Sequence, residues 1–101
     1  MIIRERKPIG DQDTSFVKVA VDIEKKIIAA GCELHIDCME ELLKEGSSPQ
    51  DIWGANVYPQ DKKIDFVSLI NIRPAQSNRS MEIEDPLLRT RMEQIIATLL
   101  L

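Results

Sequence analysis

The alternation over residues 17–24 constrains this chain more than any other feature. Val17, Val19, Val21 and Ile23 fall on one parity, and Lys18, Ala20, Asp22 and Glu24 on the other. Side chains of a strand point alternately to its two faces, so this segment reads as a half-buried strand. A second alternating run follows. It places Ile28, Ala30, Cys32, Leu34 and Ile36 on one parity, and Ala29, Gly31, Glu33, His35 and Asp37 on the other. With Lys25 and Lys26 as the turn of a hairpin, Ile23 meets Ile28, Val21 meets Ala30, Val19 meets Cys32 and Val17 meets Leu34. Every pair on that face is apolar, and Lys18 meets Glu33 on the opposite face as a favourable charge pair. A slip of one residue would reverse all of these faces. Two lysines are not the Asn-Gly kind that a two-residue loop prefers, and a loop two residues longer keeps the same faces.

The remaining elements follow from caps and stripes. Asp37 with Glu40 forms a capping-box pattern ahead of Met39, Leu42 and Leu43, and Gly46 suits the helix end. Ser48, Pro49 and Asp51 resemble a second, short helical start, closed by Gly54 before Ala55–Tyr58 resumes extended structure. After a loop over Pro59–Lys63, Ile64–Ile72 is the longest strand candidate, and Met81 with Ile83 suggests a short edge segment. Asp85 and Pro86 open a last helix, whose stripe is Leu88, Met92, Ile95, Ile96 and Leu99. The order β-β-α-β-β-α predicts an α+β fold: a mainly antiparallel four-stranded sheet of two hairpins, with the helices packed on one face. At 101 residues the chain reads as one domain, residues 1–101, with a flexible N-terminal segment over 1–15.

Composition narrows the function classes. The net charge is −4, and the basic residues lie beside acidic ones with no basic stripe, so nucleic-acid binding is not expected. No apolar run approaches the roughly 20 residues of a membrane span, and no leader is apparent. Two cysteines, Cys32 and Cys38, are too few for a disulfide framework and match no common zinc spacing. The expectation is a cytoplasmic protein with reduced thiols.

The densest polar segment is Arg73–Ser80, a loop leaving the longest strand candidate. Arg73 and Arg79 suit bidentate capture of a carboxylate or phosphate, with Asn71, Gln76, Ser77, Asn78 and Ser80 adding hydrogen bonds. The plainer alternative is that Arg73 pairs with an acidic neighbour and the loop only connects. Parity places Asp22, Glu33 and His35 with Asn56, Asn71 and Arg73 on the less covered sheet face. His35, the only histidine, lies between Glu33 and Asp37, so His35, Glu33 and Asp22 are candidate catalytic residues, with a divalent metal conceivable. Capping by Asp37 and pairing of Glu33 with Lys18 account for the same residues without chemistry. Cys32 faces the apolar side, whereas Cys38 in a first helical turn would be a nucleophile only if exposed beside His35. Trp53 fits a core corner between the short helix and the following strand.

Taken together, Asp22–Asp37, Trp53–Pro59 and Ser68–Asp85 resemble a family of small bacterial domains of unknown function. The resemblance runs from about Val17 into the last helix. Cys32 stands where a second glycine is expected after Gly31, and the segment before Phe16 is shorter than the family's N-terminal helical stretch. The resemblance implies no activity, cofactor or ligand set. Three readings of function therefore stand. One is a binding module whose Arg73–Ser80 loop takes a small anion or acidic peptide. Another is a small enzyme centred on His35. The third is an interaction protein, homodimeric through exposed sheet edges.

Overall fold

The computed structural model describes residues 1–9 and 16–101. Its centre is a five-stranded antiparallel sheet built from β1 (Ile2–Ile3), β2 (Val17–Asp22), β3 (Ile27–Ala30), β4 (Ile52–Tyr58) and β5 (Lys63–Asp65). The spatial order is β1-β3-β2-β4-β5. Two helices, α1 (His35–Lys44) and α2 (Pro86–Leu100), complete the regular structure, with short 3-10 turns at Pro49–Asp51, Leu69–Asn71 and Pro74–Gln76.

The α+β class and the antiparallel sheet agree with the sequence reading, whereas the strand count is five rather than four. The additional strand is β1, in which Ile2 pairs with Ala29 and Ile3 with Ile28. Residues 1–9, expected to be flexible, are tied down. Beyond β1, the N–H groups of Lys7 and Ile9 donate to the carbonyls of Leu99 and Leu100. They thereby satisfy acceptors that the end of α2 leaves open. The part of that expectation covering residues 10–15 lies outside the described residues.

The first hairpin forms with the longer loop. Val19 pairs with Ala30, Val21 with Ile28 and Asp22 with Ile27, so Ile23–Lys26 make a four-residue connection and the faces are preserved. Asp22 holds this turn: its Oδ1 accepts from the N–H groups of Glu24 and Lys25, both at 2.9 Å. Lys26 takes the left-handed conformation that closes it, with φ 57°. The second run does not reach Ile36. Gly31, at φ 80°, ends β3, and the chain turns into α1 two residues before Asp37. Leu34, not Asp37, is the N-cap, and Asp37 sits exposed in the first turn. The expected Lys18–Glu33 charge pair is replaced by a bond from Lys18 Nζ to the Glu33 carbonyl at 2.6 Å.

The helices lie on opposite faces of the sheet, which corrects the expectation of one covered face. On one face Val19, Val21, Trp53, Ala55 and Val57 pack with Met92, Ile96 and Leu100 of α2. On the other, Ala20, Ala29 and Ile52 pack with Cys38 and Leu42 of α1. All four residues of β3, Ile-Ile-Ala-Ala, are buried, so this strand is apolar on both parities. The small side chains of Ala20 and Ala29 let α1 approach closely.

Candidate functional site

The sequence-marked segment Ile64–Ser80 is broken rather than extended. Strand β5 stops at Asp65. Ser68 then caps a 3-10 turn by accepting from Ile70 N–H at 3.3 Å. This turn crosses β4 at Gly54. A Cβ built on Gly54 would lie 2.7 Å from Ser68 Cβ, closer than carbon atoms pack, so glycine is required by the approach. Asn71 closes the crossing. It is fully buried, accepts from Gly54 N–H at 2.8 Å and donates to Gly54 carbonyl at 3.0 Å, making the two bonds a neighbouring strand would make.

Arg73 turns inward. Its Nε donates to the Ile70 carbonyl at 3.0 Å, and its Nη1 to the Pro49 carbonyl at 2.8 Å and Gln76 Oε1 at 3.3 Å. Its Nη2 donates to the Ile52 carbonyl. The guanidinium also lies over the Trp53 ring, 4.5 Å from the centroid. Burial pushes the Arg73 pKa below its usual value. Trp53 fills the core corner expected of it, 4 % exposed.

The other loop residues act on the backbone as well. Asn78 Nδ2 donates to the carbonyls of Asn71, Ser80 and Glu82, and its Oδ1 accepts from Glu84 N–H at 2.8 Å. Gln76 donates to the Gln50 carbonyl, and Ser80 to the Glu82 carbonyl. Glu84 accepts from the N–H groups of Arg79 and Ser80, which hold its carboxyl below the usual carboxylate range. Arg79 is exposed.

The residues grouped by parity separate. Asp22 is buried in the hairpin turn, Glu33 is exposed in the connection to α1, and His35 opens α1. No metal-type cluster of described residues includes His35. Burial together with the carboxylates of Asp22 and Glu24 raises the pKa of Asp51 instead. Cys32 and Cys38 are joined as a disulfide, which corrects the expectation of reduced thiols. Gly31 causes this: its left-handed turn bends the chain back so that Cys32 packs against the α1 face of the core.

His35 and Asn56 do meet, in a groove of about 360 Å³ between the start of α1 and the 3-10 turn over Gly54. Its walls include Phe16, Leu34, Ile36, Leu69 and Met81. These are five of the nine large apolar side chains that stand exposed among the described residues, so the exposed apolar surface is concentrated here. His35 Nε2 lies 2.9 Å from the Ala55 carbonyl, which makes it the donor and leaves Nδ1 of the neutral ring an acceptor. Asn56 donates to the Val67 carbonyl, and its buried Oδ1 has no donor among the described residues. Sequence reasoning missed the groove because Leu34, Ile36 and Leu69 were assigned to strand faces.

Fold and site define a small α+β protein whose antiparallel sheet lies between helical layers, with an apolar groove beside α1. No helix among the described residues is long and apolar enough to cross a membrane. The chain belongs to the family described as Protein of unknown function (DUF5674), whose model matches residues 4–99. No curated protein and no solved structure matches it.

Proposed function

We propose that the protein is an interaction module whose groove receives an apolar, basic segment of a partner protein. The concentration of exposed apolar side chains around one groove carries this reading. A large exposed apolar side chain such as Leu69, 72 % exposed, gains by desolvation only when a partner covers it. Charge selects the kind of partner. Glu33, Asp37 and Glu40 stand exposed beside Leu34 and Ile36, and none forms an ion pair among the described residues. The net charge of −4 attracts a cationic partner over a longer range. His35 Nε2 is engaged by the Ala55 carbonyl, and the other ring nitrogen, Nδ1, suits a segment that brings an N–H donor.

The anion-binding reading of Arg73–Ser80 has less support, because Arg73, Asn71 and Asn78 spend their donors on main-chain carbonyls.

The test uses two short amidated peptides, one alternating leucine with lysine and its twin with glutamate in place of lysine. The lysine peptide is expected to raise the Tm of the wild type, the glutamate peptide to do so less, and Leu69→Ser to remove the effect. Leu69 is so exposed that this change should alter intrinsic stability by no more than about 0.5 kcal/mol. Equal shifts with both peptides, or full retention in Leu69→Ser, would overturn the proposal.

A further inference from the structure

We propose that the Cys32–Cys38 disulfide is a thiol-responsive latch on the α1 side of the groove, opened by a dithiol reductant and closed again by disulfide exchange. The inference rests on the groove reading above. The bond joins positions six apart in sequence, and Leu34, His35 and Ile36 lie inside the ring that it closes. These are the groove residues that α1 and its N-cap contribute. The first turn of α1 lacks a side-chain cap, because Leu34 at the N-cap has no polar group to accept from its N–H groups. The ring is also tied to the sheet by His35 Nε2, which donates to the Ala55 carbonyl at 2.9 Å, and by Lys18 Nζ, which donates to the Glu33 carbonyl at 2.6 Å. A cross-link acts mainly by removing freedom from the segment it closes. Breaking this one therefore returns freedom to the groove wall.

The surroundings of the bond suit both redox states. Cys32 is half-buried and lines a shallow depression with Phe16, Gly31 and Glu33, whereas Cys38 is fully buried. An attacking thiolate therefore meets the Cys32 sulfur. Glu41 Oε1 is engaged by the Met1 ammonium at 2.8 Å, and its Oε2 lies 3.1 Å from Cys32 Sγ. Once Cys32 carries a proton, Oε2 accepts it in a hydrogen bond. The Lys18 carbonyl, 3.9 Å from Cys38 Sγ, is placed to accept weakly from the second thiol. Neither acceptor has a sulfur-borne proton to take while the disulfide is intact, so these contacts favour the reduced chain without moving the backbone.

The exchange balances with a dithiol as reductant. One of its thiolates attacks Cys32 Sγ, a mixed disulfide forms, and the Cys38 sulfur leaves with the S–S electron pair and takes a proton. The second thiolate of the reductant then attacks its own sulfur in the mixed disulfide. Cys32 leaves and is protonated, and the reductant departs as a cyclic disulfide. Two electrons and two protons pass to the protein.

Amide hydrogen exchange of the full chain, with and without dithiothreitol, reads the latch without any ligand. The N–H groups of Asp37 and Cys38 both donate to the Leu34 carbonyl, so their protection reports the first turn of α1. Reduction should speed their exchange about tenfold or more, while amides in the centre of β2 and β4 stay protected. Cys32→Ser, at the half-buried position, should exchange without reductant as the reduced wild type does. The leucine-lysine peptide should raise the Tm of the oxidised chain more than that of the reduced chain. Failure of dithiothreitol to free both thiols in the folded chain, unchanged exchange at Asp37 and Cys38 after reduction, or loss of protection across β2 and β4 would overturn the latch. Equal peptide shifts in the two states would overturn its control of the groove. A peptide silent in both states would overturn the groove reading, and the exchange rates would still decide the latch.

Discussion

Arg73 shows how a residue type can be legible while its role is not. Arginine beside proline and amides reads as an anion clamp, yet its guanidinium is aimed at Trp53 and three main-chain carbonyls. Sequence reveals donors but not their directions, and the direction here depends on a 3-10 turn that no periodicity announces. Asn71 and Asn78 were visible for the same reason, and their amide donors likewise go to main-chain carbonyls. Asn71→Ala removes bonds to both main-chain groups of Gly54 and leaves them buried, so it should cost about 3 kcal/mol in chemical denaturation. Glu84 gives a pH signature. Its folded pKa is lowered, so its contribution is present above the ordinary carboxylate range and is lost as the pH falls through the lowered value. Glu84→Gln should therefore melt below wild type at neutral pH, and the two melting curves should converge in acid.

Among the elements, the first hairpin, α2 and its Asp85 cap were the most legible. Their signals are local: strict alternation, a helical stripe, and a side chain that accepts from Leu87 N–H at 2.9 Å. Ile64–Ile72 failed because its apolar run carries no sign of the interruption at Ser68. That interruption at Ser68 is set by Gly54, fourteen residues earlier in sequence, where the missing Cβ admits the turn. Gly54→Ala should cost about 2 kcal/mol by forcing Ser68 and Ile70 away from β4. Adding Ser68→Gly should recover part of that loss, and equilibrium unfolding of the single and double variants measures it. If the double variant is no more stable than Gly54→Ala, the close approach is not the cause.

At the scale of the molecule, two helices on opposite faces convert an expected open sheet into a covered one. The signal was present in Ala20, Ala29 and the unbroken Ile27–Ala30 run, which is apolar on both parities. With both faces covered, the surface proposed to bind lies off the sheet, at the seam between α1 and the turn over Gly54. On the function proposed above, the Arg73–Ser80 loop holds the fold while this groove binds. Backbone-amide NMR of the wild type, titrated separately with the leucine-lysine peptide and with inorganic phosphate, tests both halves. Peptide-induced shifts are expected at residues 34–36, 56, 67–70 and 81 alone, with phosphate leaving residues 73–80 unmoved. Saturable phosphate shifts across 73–80, with the groove silent to peptide, would contradict it.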